Sequence, residues 1–207
     1  MNRFPFFKDI SGWDVLIVGG GRVALRKARV LSEFGVRLHA VAPAFDEGFF
    51  EVPAERILRE FRPEDLQGAR LCVAATDCRA VNARVAELCR ERGIEVNVSD
   101  DPSLGTFHFP AMLRRGELTV ALSTSGVSPL AARWARDCIA QTLPENFGDV
   151  LERMEAARRL AMRWLPDPDV RARALARAFE RCMDGGPLPA DGELEGMIRA
   201  FPCTELD

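Results

Sequence analysis

The sequence predicts an α/β protein, a doubly wound parallel sheet followed by a smaller, mostly helical part. Three observations carry that expectation. Short runs rich in Val, Ile and Ala alternate with helical stretches from residue 14 to about 110. Three glycines join the first apolar run to a basic helical stretch in "DVLIVGGGRVALRKARVLSEFG". After Pro144 only helical signals remain. Strands separated by helices of this length imply right-handed βαβ units, and hence parallel pairing.

The elements follow in order. Residues 15–18 form a continuous apolar strand, and 22–34 a helix stopped by Gly35. A second strand, 36–42, breaks at Pro43, and 57–61 reads as a weaker third. "RPEDLQG" makes a turn with about one helical turn. Residues 71–75 are a buried strand, after which Asp77 is positioned to cap the helix "CRAVNARVAELCRERG". A strand over 94–98 ends in "SDD". Beyond residue 113, 117–123 reads as a strand and "SPLAARWARDCIAQTLP" as a helix with Pro129 in its first turn. Helices over 146–164 and 169–183, the linker "GGPLPADG" and a short last helix complete the chain.

Composition narrows the function classes. A chain of 207 residues, 47% apolar, can bury one good core and a smaller second one. A net charge of −3 argues against a dedicated nucleic-acid binder. Lys8 and Lys27 are the only lysines among 28 cationic residues. Arginine's planar fork suits carboxylates and phosphates, although a GC-rich genome would give the same bias. Six cysteines (72, 78, 89, 138, 182 and 203) show no CxxC pairing and sit partly in apolar runs, as reduced thiols do. With His39 and His108 the only histidines, no resident metal site is expected. The N-terminus lacks a signal-peptide core and no stretch is apolar enough to span a bilayer, so the expectation is a cytoplasmic protein without a membrane partner.

The glycine loop carries the first chemistry. Gly19-Gly20-Gly21-Arg22-Val23-Ala24 reads as G-x-G-x-x-A between a strand and a helix, the signature of a Rossmann-like dinucleotide site. Gly19 makes the tight turn and Gly21 lets backbone approach a pyrophosphate. Ala24 keeps the helix close to the sheet, and the helix N-terminus adds its positive dipole. No Asp or Glu closes the second strand to grip a ribose; Pro43 and Ala44 stand where the adenosine would pass, with Asp46 close behind. NAD is favoured, and Arg22 keeps NADP open, since it could face a 2′-phosphate.

Ligands of open α/β sheets lie beyond the carboxyl ends of the strands. Ala75 and Thr76 end one such strand, and Asp100 emerges from the next, "IEVNVSD". An Asp beside a nicotinamide can accept the proton that a dehydrogenation releases. "DDPS" is equally an ordinary turn sequence, so the catalytic and turn readings stand side by side. In "TFHFPAMLRRG", Phe107 and Phe109 share one face and His108 the other. "STSGVSPLAARWAR" opens a helix with hydroxyls and glycine amides, a cradle for an anion with Arg133 and Arg136 farther along, or a plain Ser/Thr cap.

With these residues in place, the chain resembles the precorrin-2 dehydrogenase / sirohydrochlorin ferrochelatase family, which includes the N-terminal half of bacterial siroheme synthase and its stand-alone relatives. The matching stretches are "FPFF", "VLIVGGGRVALRKA", "VAPAF", "AATD…VN", "NVSDDPSLGTFHFPA" and "LTVALSTSGVSPLAARWAR", in the same order from residue 4 to about 136. The resemblance implies NAD⁺ on the glycine loop without a ribose acid, and oxidation of precorrin-2 to sirohydrochlorin. It places the essential aspartate at Asp100. Asn97, His108, Thr124, Ser125, Gly126 and Ser128 would line the tetrapyrrole pocket. Some members also insert Fe²⁺, so iron as a further substrate stays open. Thr124 departs from the serine that bacterial siroheme synthases carry there. The family implies a homodimer and three regions: an NAD-binding Rossmann domain (1–113), a dimerisation segment (114–144) and a helical cap domain (145–207). The rival reading is an NAD-sensing module without catalysis that engages a protein partner through its helical tail.

Overall fold

The computed structural model describes residues 4–201. Cys203 lies outside the described residues. The chain divides into two compact units with the boundary between Phe109 and Pro110.

The first unit holds five strands, β1 (Asp14–Val18), β2 (Arg37–Ala42), β3 (Ala54–Leu58), β4 (Leu71–Ala74) and β5 (Glu95–Val98). All pair in parallel, in the order β3-β2-β1-β4-β5. Helix α1 (Arg22–Ser32) follows β1, and α2 (Arg79–Glu91) follows β4. Alternation along β1 explains the two layers. Val15 and Ile17 join the core that includes Ala24, Ala28 and Leu31 of α1, whereas Leu16 and Val18 join Val85, Ala86 and Cys89 of α2. Successive strand residues point to opposite faces, so one strand feeds both cores. The chain runs outward from β1 to β3, then crosses to β4. The carboxyl ends of β1 and β4 therefore flank the topological switch point.

Two local expectations shift. The third strand runs over Ala54–Leu58 rather than 57–61. Pairing with β2 sets its register from Ala54, and the Arg59 guanidinium clamps Asp65 at 2.8 Å, turning the chain away before Phe61. Helix α2 has Cys78 at its cap position with no side-chain cap bond, so Asp77 does not close that end.

The second unit opens with a hairpin whose second strand was expected over 117–123 and whose first was not. Strand β6 (Ala111–Arg115) pairs antiparallel with β7 (Leu118–Leu122). Gly116 makes the turn at φ +56°, and a side chain there would meet the backbone of Gly148. Arg115 donates to the carbonyls of Ala140 (2.7 Å), Leu143 and Pro144 (2.6 Å). It thereby closes the C-terminus of α3 (Pro129–Thr142), where carbonyls lack helical partners. Helices α4 (Phe147–Trp164), α5 (Pro168–Met183) and α6 (Asp191–Arg199) share a core of Ala157, Ala161, Val170, Ala174, Leu194 and Ile198. The small alanines let the helices approach closely. Thus the segment expected to dimerise and the helices expected as a cap lie in one compact unit.

Candidate dinucleotide and proton-transfer site

The three glycines have three different environments. Gly19 has φ +129°, and a Cβ there would lie 2.3 Å from the Ala75 carbonyl oxygen. At Gly20 it would lie 1.9 Å from the Ala44 oxygen. Both positions admit no side chain, because backbone from the ends of β4 and β2 presses on the loop. Gly21, by contrast, is the N-cap of α1 with φ −82°, and nothing lies within 4 Å of its would-be Cβ. The loop is therefore closed toward the protein and open at the helix N-terminus, the shape a pyrophosphate requires. The residues fit a dinucleotide on that ground. Arg22 and Val23 are exposed beside the opening, and Ala24 is fully buried.

Pro43 and Ala44 are exposed after β2, next to the loop. Asp46 donates its backbone N–H to the Gly20 carbonyl at 2.8 Å, and its carboxylate accepts from Gly48 N, capping a short 3₁₀ turn. That use explains its presence without a ribose.

Asp100 and Asp101 divide the two roles that "DDPS" left side by side. Asp101 accepts from the Ser103 amide at 3.0 Å and hydroxyl at 2.6 Å, and from Arg79 at 3.1 Å. Chiefly the Ser103 hydroxyl, then its amide, holds the Asp101 carboxyl below its usual range. The turn is thus made by Asp101. Asp100 is exposed at the end of β5, and its Oδ1 accepts from the side-chain amide of Asn82 at 2.8 Å.

Asn82 was not foreseen. It is 1% exposed on α2 and makes four bonds. Its Oδ1 accepts from the Thr76 amide (3.0 Å) and hydroxyl (2.8 Å), and its Nδ2 donates to the Thr76 carbonyl (3.0 Å) as well as to Asp100. One amide thus ties the end of β4 to the acid after β5. A polar residue in the apolar stripe 82, 85, 86, 89 was the available signal.

The second unforeseen residue is Lys27, buried on α1. Its ammonium donates to Asn97 Oδ1 and, at 2.8 Å, to Ser99 Oγ, and sits 5.2 Å from the Phe109 ring centroid. Burial above all, then neighbouring Arg26, lowers its pKa to about 8. Asn97, expected to line the substrate pocket, faces inward: it is 5% exposed and its Nδ2 donates to the Phe107 carbonyl at 3.0 Å. Both ends of that side chain are engaged within the unit. Phe107 and Phe109 do share a side, with ring centroids 5.5 Å apart, but residues 107–110 lie outside any strand; His108 is half-buried between them.

Thr124, Ser125, Gly126 and Ser128 belong to the second unit, ahead of α3. Thr124 Oγ1 donates to the Ser128 carbonyl at 3.0 Å and accepts from its amide at 3.1 Å. Ser128 Oγ caps α3 through the Ala131 amide. Ser125 (φ +54°) and Gly126 (φ +87°) are exposed in left-handed geometry. Ser125 is the one residue other than glycine with positive φ among the described residues. Among the described residues no three His, Cys, Asp or Glu side chains are grouped to hold a metal, and no helix is long and apolar enough to cross a membrane.

Comparison with known proteins gives relatives of this chain and of its fold. The model of a family described as putative NAD(P)-binding matches residues 6–111. A siroheme synthase of Stutzerimonas stutzeri is 42% identical over 154 residues, covering 72% of this chain and 33% of that protein. One from Pseudomonas entomophila is 34% identical over 214 residues, covering 99% of the chain and 46% of that protein. The chain thus spans less than half the length of these relatives. The solved structure of "SirC, precorrin-2 dehydrogenase" shares the fold, with a TM-score of 0.71 at 23% identity, covering 96% of this chain and 98% of that one. By the match over its nucleotide-binding half, the chain belongs to the putative NAD(P)-binding family.

Proposed function

We propose that the protein is an NAD-dependent precorrin-2 dehydrogenase. The observation that carries the reading is Asp100: an exposed carboxylate past β5, free of the turn and oriented by Asn82, which also holds the β4 end beside the glycine loop. The similarity to siroheme synthases supports precorrin-2 as the substrate.

Gly19, Gly20 and Gly21 with the N-terminus of α1 would hold the pyrophosphate, and Pro43, Ala44, Ala75 and Thr76 would border the rest of the dinucleotide. When bound, NAD⁺ supplies the two-electron acceptor. Oxidation of the macrocycle releases two electrons and two protons; one proton leaves with the electron pair, and the Asp100 carboxylate takes the other. Asn82 keeps one Asp100 oxygen fixed as that happens. His108, in the same unit as Asp100, would border the macrocycle. The arginine-rich surface suits a polycarboxylate substrate. Fe²⁺ would enter only as a substrate of a later insertion step.

The protein acts as a homodimer in this reading. Leu130 and Trp134, one turn apart on α3, are 72% and 70% exposed, and Val127 in the loop before the helix is 86% exposed, an apolar patch that a second copy would cover. Mixing the protein with precorrin-2 and NAD⁺ tests the function. Equimolar NADH and sirohydrochlorin are expected; tight NAD⁺ binding without NADH would favour the sensing module. A parallel arm with sirohydrochlorin and Fe²⁺ reads metal insertion.

A further inference from the structure

Lys27 poses a physical problem. An ammonium buried among apolar side chains is costly unless a counter-charge offsets it. Yet both hydrogen-bond partners of Lys27 are neutral oxygens, Asn97 Oδ1 and Ser99 Oγ, and the third contact is the Phe109 ring. The charged group acting on it, Arg26 on the same helix, is of like sign. A methionine would fill the same volume without that cost.

The position of the two acceptors suggests what the charge accomplishes. Asn97 and Ser99 flank the end of β5, and Asp100 is the next residue. Helix α1, which carries Lys27, begins at the glycine loop. Asn97 in turn holds the Phe107 carbonyl, so the chain on both sides of the Asp100 turn is tied to one ammonium. We propose that Lys27 is a positioning residue: through Asn97 and Ser99 it fixes the strand end bearing Asp100 relative to the helix whose N-terminus receives the dinucleotide. Asn82 restrains the Asp100 side chain, and Lys27 restrains the backbone from which it departs.

Charge-assisted bonds are roughly twice as strong as neutral ones. A neutral amine would keep its donors but grip Asn97 and Ser99 less firmly. The role therefore carries a pH signature: the rate constant falls as Lys27 loses its proton, near pH 8. Around it, Arg26 is the charged group acting from α1, while β5 and the segment after it present Asn97, Ser99 and Phe109 among the described residues.

The proposal rests on the dehydrogenase reading, and the experiment separates the two. Lys27→Met and Ser99→Ala are compared with the native chain for kcat, NAD⁺ affinity and the pH profile of kcat. We expect kcat to fall by about tenfold or more in Lys27→Met, and less in Ser99→Ala, with NAD⁺ Kd changed by less than about threefold. The alkaline limb should vanish in Lys27→Met. Unchanged kcat in both variants overturns the proposal, as does a parallel loss of kcat, NAD⁺ affinity and thermal stability. Should Lys27→Met fail to fold, Ser99→Ala alone decides. Because the chain has only two lysines, ¹³C-lysine labelling gives a readout independent of turnover. Added NAD⁺ should move the Lys27 signal and leave Lys8 in place. If the native chain lacks turnover, the dehydrogenase reading falls, and the NMR response still upholds or, if absent, overturns the coupling.

Discussion

The side-chain amide of Asn82 donates to Asp100 Oδ1 at 2.8 Å while its oxygen accepts from the amide and hydroxyl of Thr76. Two strand ends that are neighbours in the sheet, β4 and β5, are thus joined at their carboxyl termini by one buried residue. The acid is exposed, with one of its oxygens held by the Asn82 amide. A proton acceptor held in this way needs little reorganisation when charge moves toward it.

Asn82→Ala should therefore damage both stability and rate. The substitution leaves the half-buried Thr76 amide and carbonyl without their partner, a loss of about 1–2 kcal/mol. Thermal denaturation reads that loss. Because Asp100 also loses its orienting bond, kcat should drop even at temperatures where the variant is fully folded.

The glycines separate folding from ligand binding. Gly20→Ala drives a methyl into the Ala44 carbonyl and should destabilise the domain by about 1–3 kcal/mol. Gly21→Val meets open space and an extended backbone, so the melting temperature should hold. Its branched side chain occupies the approach to the helix N-terminus, and NAD⁺ affinity should fall by at least about tenfold. Calorimetric melting and NAD⁺ titration of the two variants check the contrast.

Lys27 makes stability depend on alkaline pH in an unusual direction. Burial depresses its folded-state pKa from 10.5 to about 8, so between those values the unfolded chain binds more protons than the folded one. Stability contributed by this group therefore rises with pH from about 8 toward 10.5, by an amount on the order of 3 kcal/mol. Denaturant unfolding of the native chain and Lys27→Met, compared at each pH, cancels the thiols. The native chain should gain on the variant as pH rises, while its catalytic rate declines.

Trp134→Glu should break the proposed dimer, since a carboxylate placed in that apolar patch stays unpaired when covered. Sedimentation of the native chain as a dimer and of the variant as a monomer is expected. A monomeric native chain would remove that part of the reading.

Much of this was legible in the sequence because period and position carried it. The apolar runs around 15–18 and 71–75 and the glycine triplet fixed the sheet and the loop, and the β5 end pointed to Asp100. Strand β6 escaped because "AMLRR" places two arginines in a short hairpin strand, with the alternation of a half-covered element barely visible. Long-range polar bonds also escaped. Asn82 and Lys27 sit at buried helix positions, where a polar residue signals a partner without naming it. The resemblance put Asn97 among the lining residues, and only its two bonds place it inside. For Asp101, the turn chemistry was readable but shared with Asp100 until the hydrogen bonds separated them.

The most direct test of the central claim is single-turnover oxidation of precorrin-2 by the native chain and Asp100→Asn, each saturated with NAD⁺. The account predicts NADH and sirohydrochlorin appearing together in the native chain, and a rate lowered by about 10²-fold or more in the variant with NAD⁺ affinity retained. An Asp100→Asn enzyme that forms NADH at the native rate would contradict it.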